Sequence, residues 1–155
     1  MNNLDDLILP GGVLYDVAAA NKPGVLKLLS DHAAGLTGHD PNAVFELISE
    51  RERLGTTGFG GGTAIPHAKL APLPRVVAVV AKLAAPVDFA ALDGEPVDIV
   101  VLMLAPVGAG ADHLKALARV SRVLRDRDIV GRLRASPSAD ALLAVLTQTQ
   151  QSRAA

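Results

Sequence analysis

The chain has 155 residues, of which 50% are apolar and 20% are charged, and its formal net charge is -1. A chain of this size and composition is typical of one globular domain that buries a core without a disulfide or a structural metal. The sequence contains no cysteine, which excludes a thiol nucleophile and a thiolate metal site. Its lack of a basic excess argues against nucleic-acid binding.

Neither a secretory signal nor a membrane span is expected from the sequence. The first ten residues carry Asp5 and Asp6 and no basic region that leads into a long apolar stretch. Charged residues and prolines interrupt every apolar run well short of the roughly 20 residues that cross a bilayer. We therefore expect a cytoplasmic protein with no direct membrane insertion.

No repeat or linker divides the chain, so we expect one domain over residues 1–155. Its core is expected at about residues 5–147. The remainder, 148–155, is polar and terminal, and such segments fray.

At the start of the chain, Leu14 to Val17 predict a short strand, and two helices follow it. The first helix is expected from Pro23, which suits a first helical turn, to Gly35. Its buried stripe is expected to consist of Val25, Leu26, Leu28 and Leu29. The second helix is expected to start at Asp40-Pro41 and to stop at Gly55. Its apolar face is expected to consist of Val44, Leu47 and Ile48, with Arg51 on the same face.

Two apolar segments, Val76–Leu83 and Val97–Ala105, predict strands that are buried on both faces. A third long helix is expected from about Asp112, and a terminal helix from Ala139 to about Leu146. The apolar stripe of the third helix is expected to consist of Leu114, Leu117, Val120, Ser121 and Leu124. This order of elements predicts an α/β fold in which helices sandwich a sheet.

The segment from Arg51 to Lys69 contains a cluster of glycines, namely Gly55, Gly58, Gly60, Gly61 and Gly62. Such a loop can bring backbone N–H groups around an anion. It does not match a Walker loop, because no lysine follows a glycine, nor a dinucleotide fingerprint or a Gly-x-Ser-x-Gly elbow.

His67 follows this cluster directly after Ile65 and Pro66, and the proline stiffens the backbone that carries it. A histidine near its ordinary pKa of about 6.5 is a competent nucleophile at neutral pH and can carry a phosphoryl group. The alternative interpretation is a hydrogen-bonded structural histidine beside a turn.

Arg51 and His113 are the further candidates. Arg51 is expected to face the core side at the end of its helix, where its guanidinium needs an anionic partner. The alternative is a cation that stabilises a helix C-terminus. His113 is expected to look inward from a helix start, where an anion is favoured, although a buried capping histidine has the same pattern.

The chain closely resembles enzyme IIA of the bacterial phosphotransferase system, in the fructose/mannitol-type class, over roughly Asp5 to Thr147. The matching residues are Arg51-Glu52, Thr57-Gly58, Gly60, Gly62, Ala64-Ile65-Pro66-His67, Pro96-Val97-Asp98, Ile99 to Leu104, Ala105-Pro106 and His113-Leu114. Two small departures, Thr63 and Ala68, leave the two histidines and the arginine intact.

The resemblance implies a three-layer domain with a mixed sheet. It implies that His67 is phosphorylated and that Arg51 and His113 are its active-site companions. Such a phosphotransferase needs no metal, nucleotide or other cofactor, because an HPr-type phosphocarrier supplies the phosphoryl group from its own phosphohistidine. We expect Arg51 to neutralise the phosphoryl oxygens, His113 to bond to them or to orient His67, and N–H groups of the glycine loop or of a helix terminus to complete the cradle.

The branch of the family decides the downstream partner. The run Pro66-His67-Ala68-Lys69-Leu70 resembles the nitrogen-regulatory branch, whose members act on regulatory protein targets through their phosphorylation state. The alternative is a free-standing sugar-transport component that passes the phosphoryl group to a IIB domain. A third possibility is a binding module on which phosphate serves only to favour or block contacts.

Three other groups are expected to be structural. His32 and His39 match no metal-ligand spacing, and turn chemistry accounts for Asp93 among the acidic residues near the strand turn. Asp88 and Asp98, the other two acidic residues near this turn, are also expected to be structural. The basic stripe of Lys115, Arg119 and Arg122 is typical of a solvated helix face, although it could also take part in docking.

Overall fold

The computed structural model describes residues 4–154, apart from the side chains of Phe59 and of residues 148–154. The strands described are β1 (Ile8–Val17), β2 (Gly58–Gly60), β3 (Thr63–Ala64), β4 (His67–Lys69), β5 (Val77–Val87) and β6 (Val97–Ala105). They form a mixed sheet in the order β1-β5-β6-β3-β2, and β4 also pairs with β6. β5 and β6 are antiparallel, whereas β1 is parallel to β5, and β3 and β4 are parallel to β6.

Helices cover both faces of this sheet. They are α1 (Lys22–Thr37), α2 (Pro41–Leu54), α3 (Ala111–Arg125), α4 (Arg127–Ala135) and α5 (Ala139–Ala154). One apolar cluster joins α1 and α2 to residues such as Val77 and Val79 of β5, and a second joins α3, α4 and α5 to Ala78 and Val80. Alternate residues of a strand face opposite sides, so a strand between two helical layers is apolar throughout. The predicted α/β sandwich with a mixed sheet is confirmed.

The central strands were well predicted. β6 has the predicted bounds, and β5 starts one residue later than predicted and continues to Val87. The predicted strand around Leu14 is part of β1, which begins earlier, at Ile8. In the part of the chain that the structure describes, no helix is long and apolar enough to cross a membrane.

The end of α1 was predicted wrongly. The helix passes through Gly35 and ends at Gly38, whose φ of 76° is left-handed and whose N–H donates to Ala34 O. Nothing lies near the position of a Cβ at Gly35, so this glycine is tolerated inside the helix, whereas a left-handed C-cap requires the glycine at 38. The predicted start of α2 is confirmed, because the Asp40 side chain accepts from Asn42 N and Pro41 follows it.

Three details of the carboxyl-terminal half differ from prediction. α4 was not predicted, because its charged sequence hides a short apolar stripe of Ile129, Val130 and Leu133 behind the N-cap Asp126. Leu114 was expected in the buried stripe of α3 but is 67% exposed, since the buried face of this helix is Ala116, Val120, Val123 and Leu124. α5 continues to Ala154, past its predicted end near Leu146. The predicted fraying falls on 148–155, where the side chains lie outside the described residues, and it stays a prediction.

Candidate active site

Three elements meet at an open cleft of about 670 Å³. The last turn of α2 brings Arg51, β4 brings His67, and the first turn of α3 brings His113. The remaining lining residues are Leu47, Glu50, Arg53, Leu54, Ala68 and Lys69. The fold therefore brings together the three residues that the sequence analysis selected.

The His67 ring is held by its own strand. β4 pairs in parallel with β6 in the register His67 opposite Met103, and Met103 N donates to Pro66 O at 2.9 Å. The Nδ1 atom of His67 lies 2.8 Å from Ile65 O. A carbonyl oxygen can only accept, so we assign the proton to Nδ1, which leaves the lone pair on Nε2. The ring thus presents Nε2 as its nucleophilic atom.

The surroundings of His67 favour its neutral form. Burial lowers the pKa of the imidazole, and the positive charge of Arg51 lowers it further. The hydrogen bond with Ile65 O and the negative charge of Glu52 oppose this shift, and the net effect is a pKa below the usual 6.5. The neutral imidazole is the form that attacks phosphorus.

His113 stands beside this ring and is also held neutral. The two imidazoles meet edge-on, with ring centroids 5.7 Å apart. Burial lowers the pKa of His113, and positive charge on His67 and Lys69 lowers it further. Among the described residues, the buried Nε2 atom of His113 has no hydrogen-bond partner. Leaving a buried polar atom unpaired costs about 1–3 kcal/mol, so this atom is suited to a ligand that would pair with it.

The position of Arg51 agrees in part with both interpretations made from the sequence, a cation at a functional site and a cation that stabilises a helix C-terminus. Its side chain is half-buried at the cleft, as the functional interpretation expects. Its Nη1 donates to Gly55 O at 2.9 Å, so it also stabilises the end of α2. The expectation that the Arg51 guanidinium binds an anion stays a prediction.

The glycine cluster does not line this cleft, so the prediction that its N–H groups cradle the phosphoryl group is wrong for Gly60, Gly61 and Gly62. Gly61 N donates to Asp93 Oδ2 at 3.0 Å, and Gly61 O accepts from Arg134 Nη2 at 2.6 Å. Gly62 has a φ of 79°, and a Cβ there would collide with the Arg134 guanidinium. Gly62 therefore permits the close approach of Arg134, in α4, to this part of the sheet.

Two residues near His67, Lys69 in the cleft and the buried Glu52 beside Arg51, were not selected from the sequence. Lys69 lies two residues after His67 on β4, and the period of a strand puts both side chains on one side. Glu52 is buried beside Arg51 and accepts from Thr57 N at 2.8 Å and from Thr57 Oγ1 at 2.6 Å. The strand period could have indicated Lys69, whereas Glu52 was noted only as a residue that matches the family.

The other residues considered lie away from this cleft. His32 Nε2 is 2.7 Å from Gly11 O, and His39 Nδ1 is 3.0 Å from Thr37 Oγ1. Within the described residues, no group of three histidine or acidic side chains could hold a metal ion. The predicted turn role of Asp93 is observed, since it accepts from Gly61 N and Glu95 N. The other two acidic residues also have partners, Asp88 accepting from Ala90 N and Asp98 pairing with Arg134. Arg119, which was expected on a solvated helix face, pairs with Asp6.

Comparisons with known proteins agree with this geometry. The family model described as phosphoenolpyruvate-dependent sugar phosphotransferase system, EIIA 2, matches residues 7–149. A nitrogen regulatory protein from Bradyrhizobium diazoefficiens is 50% identical over 143 residues, covering 92% of this chain and 94% of that protein. The crystal structure of nitrogen regulatory protein IIA-Ntr from Neisseria meningitidis has a TM-score of 0.87 at 27% identity and covers 93% of this chain and 99% of its own.

A more distant solved structure shares the fold. Enzyme IIAMTL from Escherichia coli, solved in complex with phosphorylated enzyme IIBMTL, has a TM-score of 0.74 at 20% identity and covers 90% of this chain and 98% of its own. The greater similarity to nitrogen regulatory proteins favours the nitrogen-regulatory function over sugar transport. This chain belongs to the EIIA 2 family of the phosphotransferase system, whose members are phosphotransferases that work through a phosphohistidine.

Proposed function

We propose that this protein accepts a phosphoryl group on Nε2 of His67 from the phosphohistidine of an HPr-type phosphocarrier. Arg51 and His113 are its active-site companions. The observation that carries the proposal is the meeting of these three side chains at one cleft, with His67 Nδ1 bonded to Ile65 O so that Nε2 keeps its lone pair.

The transfer step balances without a cofactor. The lone pair of His67 Nε2 forms the new N–P bond while the N–P bond to the carrier's histidine breaks, and the electron pair of the broken bond returns to the carrier's ring. The Nδ1 proton stays on His67, where Ile65 O accepts it. Phosphoryl transfer of this kind depends mainly on in-line positioning and on the stabilisation of charge on the equatorial oxygens.

The cleft contains donors for those oxygens. Arg51 supplies a guanidinium, which suits a phosphoryl group because its donors form a planar fork. His113 Nε2 is buried without a partner among the described residues and can donate to a phosphoryl oxygen. Lys69 adds a second positive charge, on the same side of β4 as His67.

We further propose that the phosphorylation state of His67 controls which regulatory proteins bind this face. A phosphoryl group adds a charge of about -1.5 to -2. Two large apolar side chains stand exposed near the cleft, Leu54 at 86% and Leu114 at 67%, and such side chains are typical of protein contacts. The new charge beside them would change which partners can dock. We place this regulator in the cytoplasm, as one domain with no nucleic-acid partner.

The test is intact-mass analysis after incubation with phosphoenolpyruvate, enzyme I and the phosphocarrier. We expect one acid-labile phosphoryl adduct on the wild-type protein and none on His67→Ala. His39→Ala, whose imidazole lies away from the cleft, serves as the matched control and should be phosphorylated normally. An adduct on His67→Ala would overturn the assignment.

A second experiment tests the downstream role. The phosphorylated protein is mixed with IIB domains, and in parallel both phosphorylation states are used to capture partners from cytosol. Partner sets that differ between the two states, without transfer to any IIB domain, support the regulatory function. Rapid loss of the phosphoryl group to a IIB domain would instead support the alternative, a sugar-transport relay.

A further inference from the structure

A buried carboxylate next to Arg51 has no part in the transfer chemistry described so far. Glu52 lies in the last turn of α2, and its side chain is 5% exposed. Lys22 Nζ pairs with it at 2.6 Å, and Thr57 donates to it from both N and Oγ1. Burial of a carboxylate is costly unless the group is paired and hydrogen-bonded, so the position of Glu52 is closely determined.

Lys22 connects this carboxylate to a second part of the chain. It is the first residue of α1, and its Nζ also donates to Phe89 O at 3.3 Å and lies 5.2 Å from the centre of the Phe89 ring. Thr56 Oγ1 donates to the same carbonyl at 2.7 Å. Lys22 therefore joins three segments that are distant in sequence, namely the start of α1, Glu52 in α2 and the segment that carries Phe89.

A path of hydrogen bonds leads from Glu52 to His67. Glu52 holds Thr57, and Thr57 O accepts from Ile65 N at 3.1 Å. Ile65 O then bonds with His67 Nδ1 at 2.8 Å. Only Pro66 separates Ile65 from His67, and its φ is restricted by its ring, so a displacement of Ile65 would pass to His67.

We propose that Glu52, held in an ion pair with Lys22, is a positioning residue for phosphoryl acceptance. Through Thr57 and Ile65, Glu52 keeps the His67 ring in place with its proton on Nδ1. Its ion pair with Lys22 also fixes the last turn of α2, which carries Arg51. This inference rests on the proposed function, because it takes His67 as the accepting residue.

The charge of Glu52 acts on the pKa of His67 whether or not Glu52 positions the ring, so the tautomer share and the rate are the readouts that test positioning, and the pKa shows that the charge has been removed. The titratable and charged groups that line the cleft with His67 are Glu50, Arg51 and Arg53 on α2, His113 on α3 and Lys69 on β4. The buried Glu52 of α2 also acts on His67 through its charge. Arg51 lowers the pKa of His67 and Glu52 raises it. Neutralising Glu52 therefore lowers the pKa of His67 further, even in a protein whose fold is unchanged.

The decisive variant is Glu52→Gln, which keeps the shape of the side chain and removes its charge. Its matched control is Glu46→Gln, the same change at an exposed position of α2. We measure the saturating single-turnover rate of phosphoryl acceptance and the half-saturating concentration of phosphorylated carrier. NMR of the His67 ring nitrogens gives the tautomer and the pKa in the same samples.

We expect Glu52→Gln to lower the saturating rate by about ten- to a hundredfold, since misplacement of a reacting group has effects of this order. The half-saturating concentration should stay near its wild-type value, the share of the Nδ1–H tautomer should fall, and the pKa of His67 should decrease. Glu46→Gln should match the wild type in every measurement.

A folded Glu52→Gln protein with wild-type rate and tautomer share would overturn the inference, whatever the pKa of its His67, but not the proposed function. A wild-type protein that takes up no phosphoryl group on His67 would overturn the proposed function itself. If Glu52→Gln does not fold, Thr57→Val is the second variant, because it removes the hydroxyl bond and keeps the pair of Glu52 with Lys22. It should lower the rate and the Nδ1–H share in the same direction, and no change in either would overturn the inference.

Discussion

The imidazole of His113 meets the imidazole of His67 edge-on, with the ring planes at 68°. This contact joins the first turn of α3 to β4. Each ring lies partly out of water, and positive charge on His67 disfavours positive charge on His113. Both imidazoles are therefore held in their neutral forms near pH 7, the state in which our proposal has His67 attack phosphorus and His113 donate a hydrogen bond.

His113→Ala should remove the donor and retain the nucleophile. We expect the saturating rate of phosphoryl acceptance to fall by about a hundredfold or more, which is the usual effect of losing one preorganised donor to a transition state. Quenched single-turnover reactions with the phosphorylated carrier measure this rate. His113→Gln, which keeps an N–H donor, should recover part of it, and equal rates for His113→Ala and the wild type would exclude a role for His113.

Arg51→Lys and Arg51→Ala separate charge from geometry. Lysine keeps the charge but loses the planar fork that matches phosphoryl oxygens, so we expect a rate between those of the wild type and Arg51→Ala. For Arg51→Ala we expect a loss of about a hundredfold or more. The same assay applies, with Arg122→Ala on the exposed face of α3 as the control. Full activity of Arg51→Ala would show that Arg51 only caps α2.

The rate of acceptance should depend on pH through His67. The neutral ring is the form that reacts, and burial lowers the pKa of His67. The rate should therefore stay constant as the pH falls to about 6.5 and decline only below that value. NMR titration of His67 under the same conditions separates its pKa from that of the carrier. A midpoint for His67 above about 6.5 would contradict the neutral-ring account.

The same shift predicts the sign of a stability change. Below about pH 6.5 the unfolded chain binds a proton at position 67 more readily than the folded protein does. The free energy of unfolding should therefore fall as the pH falls from this value through the folded pKa. Urea unfolding across this range should show a weaker fall for His67→Gln than for the wild type, and an equal fall in both proteins would contradict the prediction.

Two glycine substitutions should have opposite effects on stability. Gly35→Ala lies inside α1 with open space around its Cβ, and we expect it to raise the free energy of unfolding by about 0.5–1 kcal/mol. Gly62→Ala introduces a side chain at a φ of 79° and against Arg134, and we expect a loss of about 1–2 kcal/mol or more. Urea unfolding measures both, and a stabilising Gly62→Ala would contradict the packing of α4 described above.

Local sequence patterns predicted the structural features that depend on the helical period of 3.6 residues and the strand period of two. The bounds of β6, the start of α2 and the choice of His67, Arg51 and His113 all came from short stretches of sequence and from the family resemblance. The exposure of Leu114 was predicted wrongly, because a shift of one or two positions in the helical phase moves a side chain to the opposite face.

Contacts between distant segments could not be predicted. Arg134, which follows Gly61 and Gly62 by more than seventy positions, bonds to the carbonyl of Gly61 and occupies the space that a Cβ at Gly62 would need. The buried carboxylate of Glu52 pairs with Lys22 and Thr57. No local sequence pattern around Lys22 or Thr57 indicates that either residue contacts Glu52. Such pairs are determined by the packing of whole elements and not by local propensity.

The central claim is that phosphorylation takes place on Nε2 of His67. Phosphorus and nitrogen NMR of the protein phosphorylated through the carrier, with labelled histidine, tests it most directly because it identifies the nitrogen that bears the phosphorus. We predict one N–P bond, on Nε2 of His67, with the proton retained on Nδ1 beside Ile65 O. Phosphorus on Nδ1, or on any residue other than His67, would contradict the account.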